Sequence, residues 1–243
     1  MRKSIFALAA AATLGATGVT APAFAQDDAT EEAAEEEADG PITISGGIGV
    51  VSDYRFRGVS LSDKDFAVQP TLTVSHESGF YAGIWGSNIT PNTGSDIEID
   101  YYAGFAGGDA VTYDIGATYY SYPGVANISY LELIGKLGTT VGPVTVGGIV
   151  GYVPSQDATG NTDNIYVGTN ASFGIPGTPV TLVGSVGFED GAFGNNKVDW
   201  TLGANAEIQG FTLGVMYVDT NRRSTYVPGD SRAGVIFSVS YGF

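Results

Sequence analysis

Cysteine is missing from the whole 243-residue chain, which removes disulfides, thiolate metal sites and cysteine nucleophiles together. Histidine occurs once, at His76. It stands at a strand end beside a tight turn, with no serine at a spacing that suggests a triad, and reads as structural. Basic residues are scarce: 10 Lys and Arg stand against 26 Asp and Glu, a formal charge of −16. Nucleic acid, itself a polyanion, is therefore no partner. Past the first residues no window of eighteen is apolar throughout, so no helix is expected to cross a membrane.

What is present begins with a leader. Arg2 and Lys3 precede an alanine-rich apolar run from Ile5 to Val19, and Ala23-Phe24-Ala25 follows. That is the order of a secretory signal peptide, predicted to span residues 1–25 and to be cleaved after Ala25. Residues 26–40 hold eight acids, no base and no aromatic. Like charges repel and little apolar surface offsets the entropy of ordering, so an acidic disordered tail is predicted there. Residues 41–243 remain, with 8 Lys and Arg against 18 Asp and Glu.

Twelve runs of strand-like sequence follow: 42–53, 66–76, 80–88, 97–106, 111–120, 130–139, 144–153, 165–173, 180–188, 198–208, 211–218 and 232–243. Most are close to the ~9–11 residues that a tilted strand needs to cross a bilayer. Their connections alternate between tight turns, such as Glu77-Ser78-Gly79 and Gln209-Gly210, and longer polar segments, such as 154–164 and 219–231. Short turns on one side and long loops on the other are the plan of an outer-membrane barrel. An even number of strands puts both ends of the barrel on the short-turn side.

The last run shows the phase most clearly. Ala233, Val235, Phe237, Val239, Tyr241 and Phe243 share one face, with Gly234, Ser238, Ser240 and Gly242 on the other. A terminal strand this apolar needs a partner for its edge, and the run from Ile42 is predicted to supply it. Period two does not say which face is outside, but charge does. Glu98, Asp100, Asp114, Glu132, Lys136, Asp199 and Glu207 all fall on polar faces, and a dry core could not hold so many. A wet lumen and a lipid-facing exterior satisfy every residue. In that phase Tyr119, Tyr152, Phe188, Trp200 and Tyr217 form a girdle near the long-loop end, and Phe105, Phe173, Phe211, Tyr241 and Phe243 one near the short-turn end. An aromatic core stripe in a secreted sandwich is the alternative, disfavoured by strand length and by the charged faces. The run 80–88 offers Tyr81 and Trp85 on one face against Phe80 and Ile84 on the other and has no evident phase. Glycine, 36 residues in all, is spread through the strands, where it can relieve crowding at bends and on the lumen side.

Ser52-Asp53-Tyr54-Arg55-Phe56-Arg57-Gly58-Val59-Ser60 is the least ordinary stretch. Continuing the first strand through it aims Asp53, Arg55 and Arg57 at the lumen, and Tyr54 and Phe56 at the upper lipid interface. Together with Gly79-Phe80-Tyr81-Ala82-Gly83-Ile84-Trp85-Gly86-Ser87-Asn88 and the acidic Glu98-Ile99-Asp100-Tyr101-Tyr102, it resembles the TorF family of porin-like outer-membrane barrels. The resemblance spans residues 42–243. It implies an outer-membrane barrel with a channel role, and brings no catalytic or substrate residues.

Chemistry is otherwise sparse. Gly46-Gly47-Ile48-Gly49 lacks the Lys-Ser/Thr and helix of a phosphate loop. Asp157 to Asn164 is rich in oxygen ligands without the spacing of a calcium loop. Arg222 and Arg223 fall in a long connection, placed to touch lipopolysaccharide or to pair with Asp219 and Asp230. The fold class expected is an all-β, transmembrane, antiparallel up-and-down barrel of about 12 strands. Its expected function is passive diffusion of small hydrophilic solutes through a narrow polar lumen in the outer membrane. No catalytic residue, metal or cofactor is assigned. Lumen or constriction candidates are Asp53, Arg55, Arg57, Glu98, Asp100, Asp114, Glu132, Lys136, Asp199 and Glu207. Arg55 and Arg57 either form a cationic patch for anionic solutes or pair with Asp53, Glu98, Asp100 or Asp199 and tie the wall together. Tyr241 and Phe243 are the expected signal to the barrel-assembly machinery, and lipid bilayer and lipopolysaccharide the expected surroundings. The rival readings are a closed structural or adhesive barrel acting through its loops and, with no constellation to support it, an outer-membrane hydrolase.

Overall fold

The structure, a computed structural model, describes residues 41–90, 94–221 and 232–243. The predicted leader and acidic tail, and Arg222, Arg223 and Asp230, lie outside the described residues. The described residues form fourteen strands: β1 (Ile42–Val51), β2 (Arg55–Phe56), β3 (Val59–Ser60), β4 (Ala67–His76), β5 (Phe80–Asn88), β6 (Ile97–Gly108), β7 (Val111–Ser121), β8 (Tyr130–Val141), β9 (Val144–Val153), β10 (Asn164–Gly174), β11 (Val180–Gly191), β12 (Lys197–Ile208), β13 (Phe211–Thr220) and β14 (Gly234–Gly242). Twelve of them, all but β2 and β3, close one antiparallel barrel in which each strand pairs with its neighbours in sequence. The seam is β1 against β14, with Gly47 opposite Gly242 and Val51 opposite Ser238. Gly46 and Phe243 extend it by exchanging two backbone hydrogen bonds, of 3.0 and 2.9 Å.

Alternation sorts the wall as the pattern predicts. Ile115, Leu202 and Phe237 point outward and are 66, 68 and 62% exposed, while Glu132 and Asp199 point inward and are 0% exposed. Outward aromatics stand near both ends: Tyr119, Tyr152, Phe188 and Tyr217 at one, Phe173, Phe211, Tyr241 and Phe243 at the other. β5, which had no evident phase, turns Tyr81 and Trp85 inward and Phe80 and Ile84 outward. The reason is that its inward aromatics have partners. The Tyr81 hydroxyl donates to Asp114 at 2.6 Å, and Trp85 meets Tyr54 edge to face at 5.4 Å between centroids.

The first strand corrects the sequence reading. β1 stops at Val51, and the chain does not continue through Arg57 along the wall. It folds back into the barrel as a separate hairpin of β2 and β3, joined at Arg57-Gly58. Tyr54 and Phe56 therefore do not reach a lipid interface: Tyr54 is 2% exposed inside the lumen, and Phe56 meets the inward Tyr120. Both turn residues have positive φ, 48° at Arg57 and 85° at Gly58, the pattern of a two-residue I′ turn. Period two is the same for a spanning strand and for this hairpin, which is why the alternation ran on without a break.

The seam offers a test. A Cβ at Gly46 would stand 2.8 Å from Cζ of Phe243, so Gly46→Val must displace the ring that covers the closing bonds. Overpacking of this kind costs about 1–3 kcal/mol. The expected result is a barrel that loses resistance to unfolding in SDS at a lower temperature than the parent, measured by heat-modifiability on a gel.

Candidate functional site: a hairpin across the lumen

Among the described residues the hairpin makes no ladder with the wall; side chains, and backbone bonds from the residues that flank it, hold it. At its base Asp53 accepts from Arg55 Nε at 2.6 Å and from the Ser60 hydroxyl at 2.6 Å. Arg55 Nη1 also donates to the carbonyls of Gly58, at 3.1 Å, and Arg232, at 2.8 Å. The backbone amide of Ser52 donates to the Phe237 carbonyl on β14, and that of Thr90 to the Leu61 carbonyl. The hairpin is thus fastened beside both β14 and the β5–β6 connection.

At the tip, Arg57 reaches the far wall. Its guanidinium donates to Glu132 on β8 at 2.6 Å and to Glu189 on β11 at 2.9 Å. The rings of Phe56 and Tyr166 flank it, at 4.6 and 4.1 Å from Cζ. Lys197 on β12 completes the cluster, donating to the Arg57 carbonyl at 2.5 Å and pairing with Glu189 at 2.7 Å. The Tyr120 hydroxyl donates to the second oxygen of Glu132 at 2.8 Å, and Asn164 Nδ2 to Glu189 at 3.1 Å. Burial alone would lower the Arg57 pKa, but the carboxylates of Glu132 and Glu189 outweigh it and hold the guanidinium charged well above its usual range. Burial, reinforced by the Glu98 and Asp100 carboxylates, pushes the Tyr54 phenol well up and keeps it neutral. Glycine makes room for the tip: a Cβ at Gly151 on β9 would collide with the Glu132 carboxylate and stand 2.9 Å from Arg57 Nη2.

Each predicted lumen residue can now be placed. Asp53, Arg55 and Arg57 belong to the hairpin, and Glu132 and Asp199 to the wall it meets. Glu98 and Asp100 on β6 lie beneath it, 2 and 3% exposed. The Tyr122 hydroxyl donates to Glu98 at 2.9 Å. Asp114 and Lys136 pair at 3.3 Å, half-buried and farther toward the short turns. Glu207 is exposed at the short-turn mouth, accepting from the Thr212 hydroxyl at 2.8 Å, and stands apart from the hairpin. Arg55 pairs with Asp53, one of the expected partners, whereas Arg57 pairs with Glu132 and Glu189 and not with Glu98, Asp100 or Asp199. The sequence reading missed Glu189 and Lys197 because it ended one run at 188 and began the next at 198; one more residue on each strand puts both on inner faces. It also missed Tyr120 and Tyr166, inward tyrosines whose hydroxyls find carboxylates.

The other stretches singled out by sequence stand apart from this cluster. His76 is exposed in the β4–β5 turn, where Nδ1 meets Ser78 Oγ at 2.7 Å. Asp157–Thr159 forms a single 3-10 turn capped at Gly160. Among the described residues no three His, Cys, Asp or Glu side chains are grouped so as to hold a metal ion.

Residues 35–239 match the family described as "Bacterial protein of unknown function (Gcw_chp)", and the chain belongs to that family. The family established is therefore Gcw_chp and not, by name, TorF; the porin likeness rests on the fold. No curated protein matches the chain by sequence. Among solved structures it is similar to a KdgM porin, with 7% identity, coverage of 82% of this chain and 98% of that one, and a TM-score of 0.56. A KdgM porin in complex with disordered oligogalacturonate gives 8% identity, coverage of 82 and 98%, and a TM-score of 0.54. A NanC porin gives 12% identity, coverage of 83 and 99%, and a TM-score of 0.54. At these identities the likeness is one of fold: a closed 12-stranded antiparallel barrel, as the pairing shows independently.

Removing Arg57 should release the hairpin. Arg57→Met leaves Glu132 and Glu189 short of their shared cation, a loss worth about 3–5 kcal/mol in a buried pair. Hydrogen exchange of the amides from Tyr54 to Ser62 is expected to accelerate by orders of magnitude, while exchange in β8 to β12 stays slow. Unchanged exchange in the hairpin would mean that the ion pairs do not hold it.

Proposed function

We propose that this member of the Gcw_chp family is a porin-like channel of the outer membrane, through which small hydrophilic solutes diffuse passively past a constriction formed by the β2–β3 hairpin. The observation that carries this reading is the division of the wall. An apolar surface such as Ile44, Ile115, Leu137, Leu202 and Phe237 present, more than half exposed, suits hydrocarbon and no aqueous compartment. The inner face is its opposite. Toward the short turns it is lined by small or polar residues, among them Gly47, Thr71, Gly104, Gly138, Asn170 and Ser185, and stays partly accessible.

Twelve strands enclose more space than the eight whose side chains fill a barrel, and less than the sixteen to eighteen of open porins. The hairpin narrows that intermediate lumen at the long-loop end. On this reading the protein is not an enzyme, and its partners are the bilayer, lipopolysaccharide at the long-loop rim, and the assembly machinery that reads the strand ending in Tyr241 and Phe243.

Close packing of the hairpin favours a second reading, a closed barrel whose outer connections do the work. Arg55 and Lys197 are each 1% exposed, so the constriction is tight as it stands. Planar bilayer recording separates the two. Stable single-channel steps, larger in Arg57→Ala than in the parent, are expected of the channel. Their absence from a barrel that is heat-modifiable and SDS-resistant would favour the closed reading.

A further inference from the structure

We propose that the wall around Arg57 is a binding site for a guanidinium group, filled here by the hairpin's own arginine and open to competition from a small guanidinium-bearing solute. That this solute is one the barrel passes rests on the channel reading above. The wall builds the socket without help from the hairpin. Glu132 on β8 has its Oε2 taken by the Tyr120 hydroxyl of β7 at 2.8 Å. Glu189 on β11 has its Oε2 taken by Lys197 of β12 at 2.7 Å, and Asn164 Nδ2 of β10 donates to its Oε1 at 3.1 Å. Both carboxylates are thus oriented by neighbouring strands, and each turns its Oε1 to the guanidinium: Nη2 meets Glu132 at 2.6 Å and Nη1 meets Glu189 at 2.9 Å. The ring of Tyr166 on β10 forms the floor, 4.1 Å from Cζ. It lies against Gly187, where a Cβ would collide with it.

This donor set selects its ligand. Two oxygens on separate strands above one aromatic face match the planar fork of a guanidinium, whose donors diverge from a single carbon. An ammonium is a compact point charge, more strongly hydrated and without a flat face to stack. Charge points the same way. Lys197 offsets one of the two carboxylates and Arg57 the other, so the socket without Arg57 calls for one cation more.

Arg57 is in this sense a tethered ligand. It stands at φ 48°, a left-handed position that turn chemistry alone would give to Asn or Gly. Among the described residues the hairpin makes no ladder with the wall, so its tip leaves the socket by exchanging side-chain bonds and the bond from Lys197 to the Arg57 carbonyl, with no sheet to break. A free guanidinium regains the two charge-assisted bonds and the ring contact that the tip gives up. A short tether holds its ligand at an effective concentration of roughly millimolar order, so a solute competes at millimolar levels and above. Such weak capture suits a pore, where a solute must bind well enough to enter and loosely enough to leave.

Methylguanidinium and methylammonium, equal in charge and close in size, test the socket without any need for conduction. In Arg57→Ala, methylguanidinium is expected to raise the heat-modifiability midpoint by a few degrees while methylammonium at the same concentration does not, and adding Glu132→Gln with Glu189→Gln should abolish the rise. In the parent, where Arg57 fills the site, methylguanidinium should instead accelerate hydrogen exchange from Tyr54 to Ser62 in proportion to its concentration, again with methylammonium inert. Equal responses to the two ions, or none to either, would overturn the guanidinium site whether or not the barrel conducts. Stabilisation of Arg57→Ala with unchanged exchange in the parent would overturn the competition. Both responses in a barrel that stays silent in planar bilayers would uphold the site and overturn the channel reading instead.

Discussion

Hydrocarbon offers a backbone no hydrogen-bond partner, so a chain that meets it on every side must satisfy each N–H and C=O within itself, and a sheet can do so only by having no edge. On the outer-membrane reading proposed above, that constraint organises this molecule. The pairing of β1 with β14, prolonged by the bonds between Gly46 and Phe243, turns eleven hairpin-linked pairings into a closed ring. Once the ring is closed, every second residue of every strand faces out. Leu202, Phe237 and their counterparts must then be apolar, and Asp199, Glu132 and Glu98 have nowhere to go but the lumen. An even strand number follows from the same antiparallel closure.

Closure creates a second problem, inside. A twelve-stranded ring is too wide for its own side chains to fill, yet its inner face carries charges that are costly to leave in a narrow, poorly hydrated space. The hairpin answers both at the long-loop end. It brings Arg57 to Glu132 and Glu189, and Tyr54 and Phe56 to the inward aromatics Trp85 and Tyr120. Such buried pairs contribute little net stability against apolar substitutes, but losing one partner is severe, so they fix position more than they add strength. Inward glycines complete the fit. Gly151 leaves space for the Arg57 and Glu132 pair, and Gly187 for the ring of Tyr166.

Most of the barrel was legible because its constraint is periodic. A strand wet on one side and in contact with lipid on the other must alternate; the run at 198–208 does so throughout, and the run at 232–243 does so but for Ile236, which turns inward into an apolar cluster. What was hidden is what does not repeat. Nothing in the alternation of residues 52–60 marks a turn, since Arg57 occupies a left-handed position more often taken by Asn or Gly, held there by contacts from distant strands. β5 was ambiguous because both its faces are aromatic or aliphatic; only the distant Asp114 and Tyr54 show which face is inward. Glu189 and Lys197 were lost to strand ends set a single residue short. Among the candidates, phase turns Glu207 and the pair Asp114 and Lys136 inward, but sequence carried no information on their depth.

The chain's two tryptophans, Trp85 and Trp200, sit on opposite faces of the wall, Trp85 inward against Tyr54 and Trp200 outward on β12. They allow the inside-out assignment to be read directly by fluorescence in vesicles that contain brominated lipid. With Trp85→Phe, the remaining Trp200 emission should be strongly quenched by the brominated chains. With Trp200→Phe, the remaining Trp85 emission should be almost untouched by them. Quenching of Trp85 with Trp200 left bright would contradict the account at its centre.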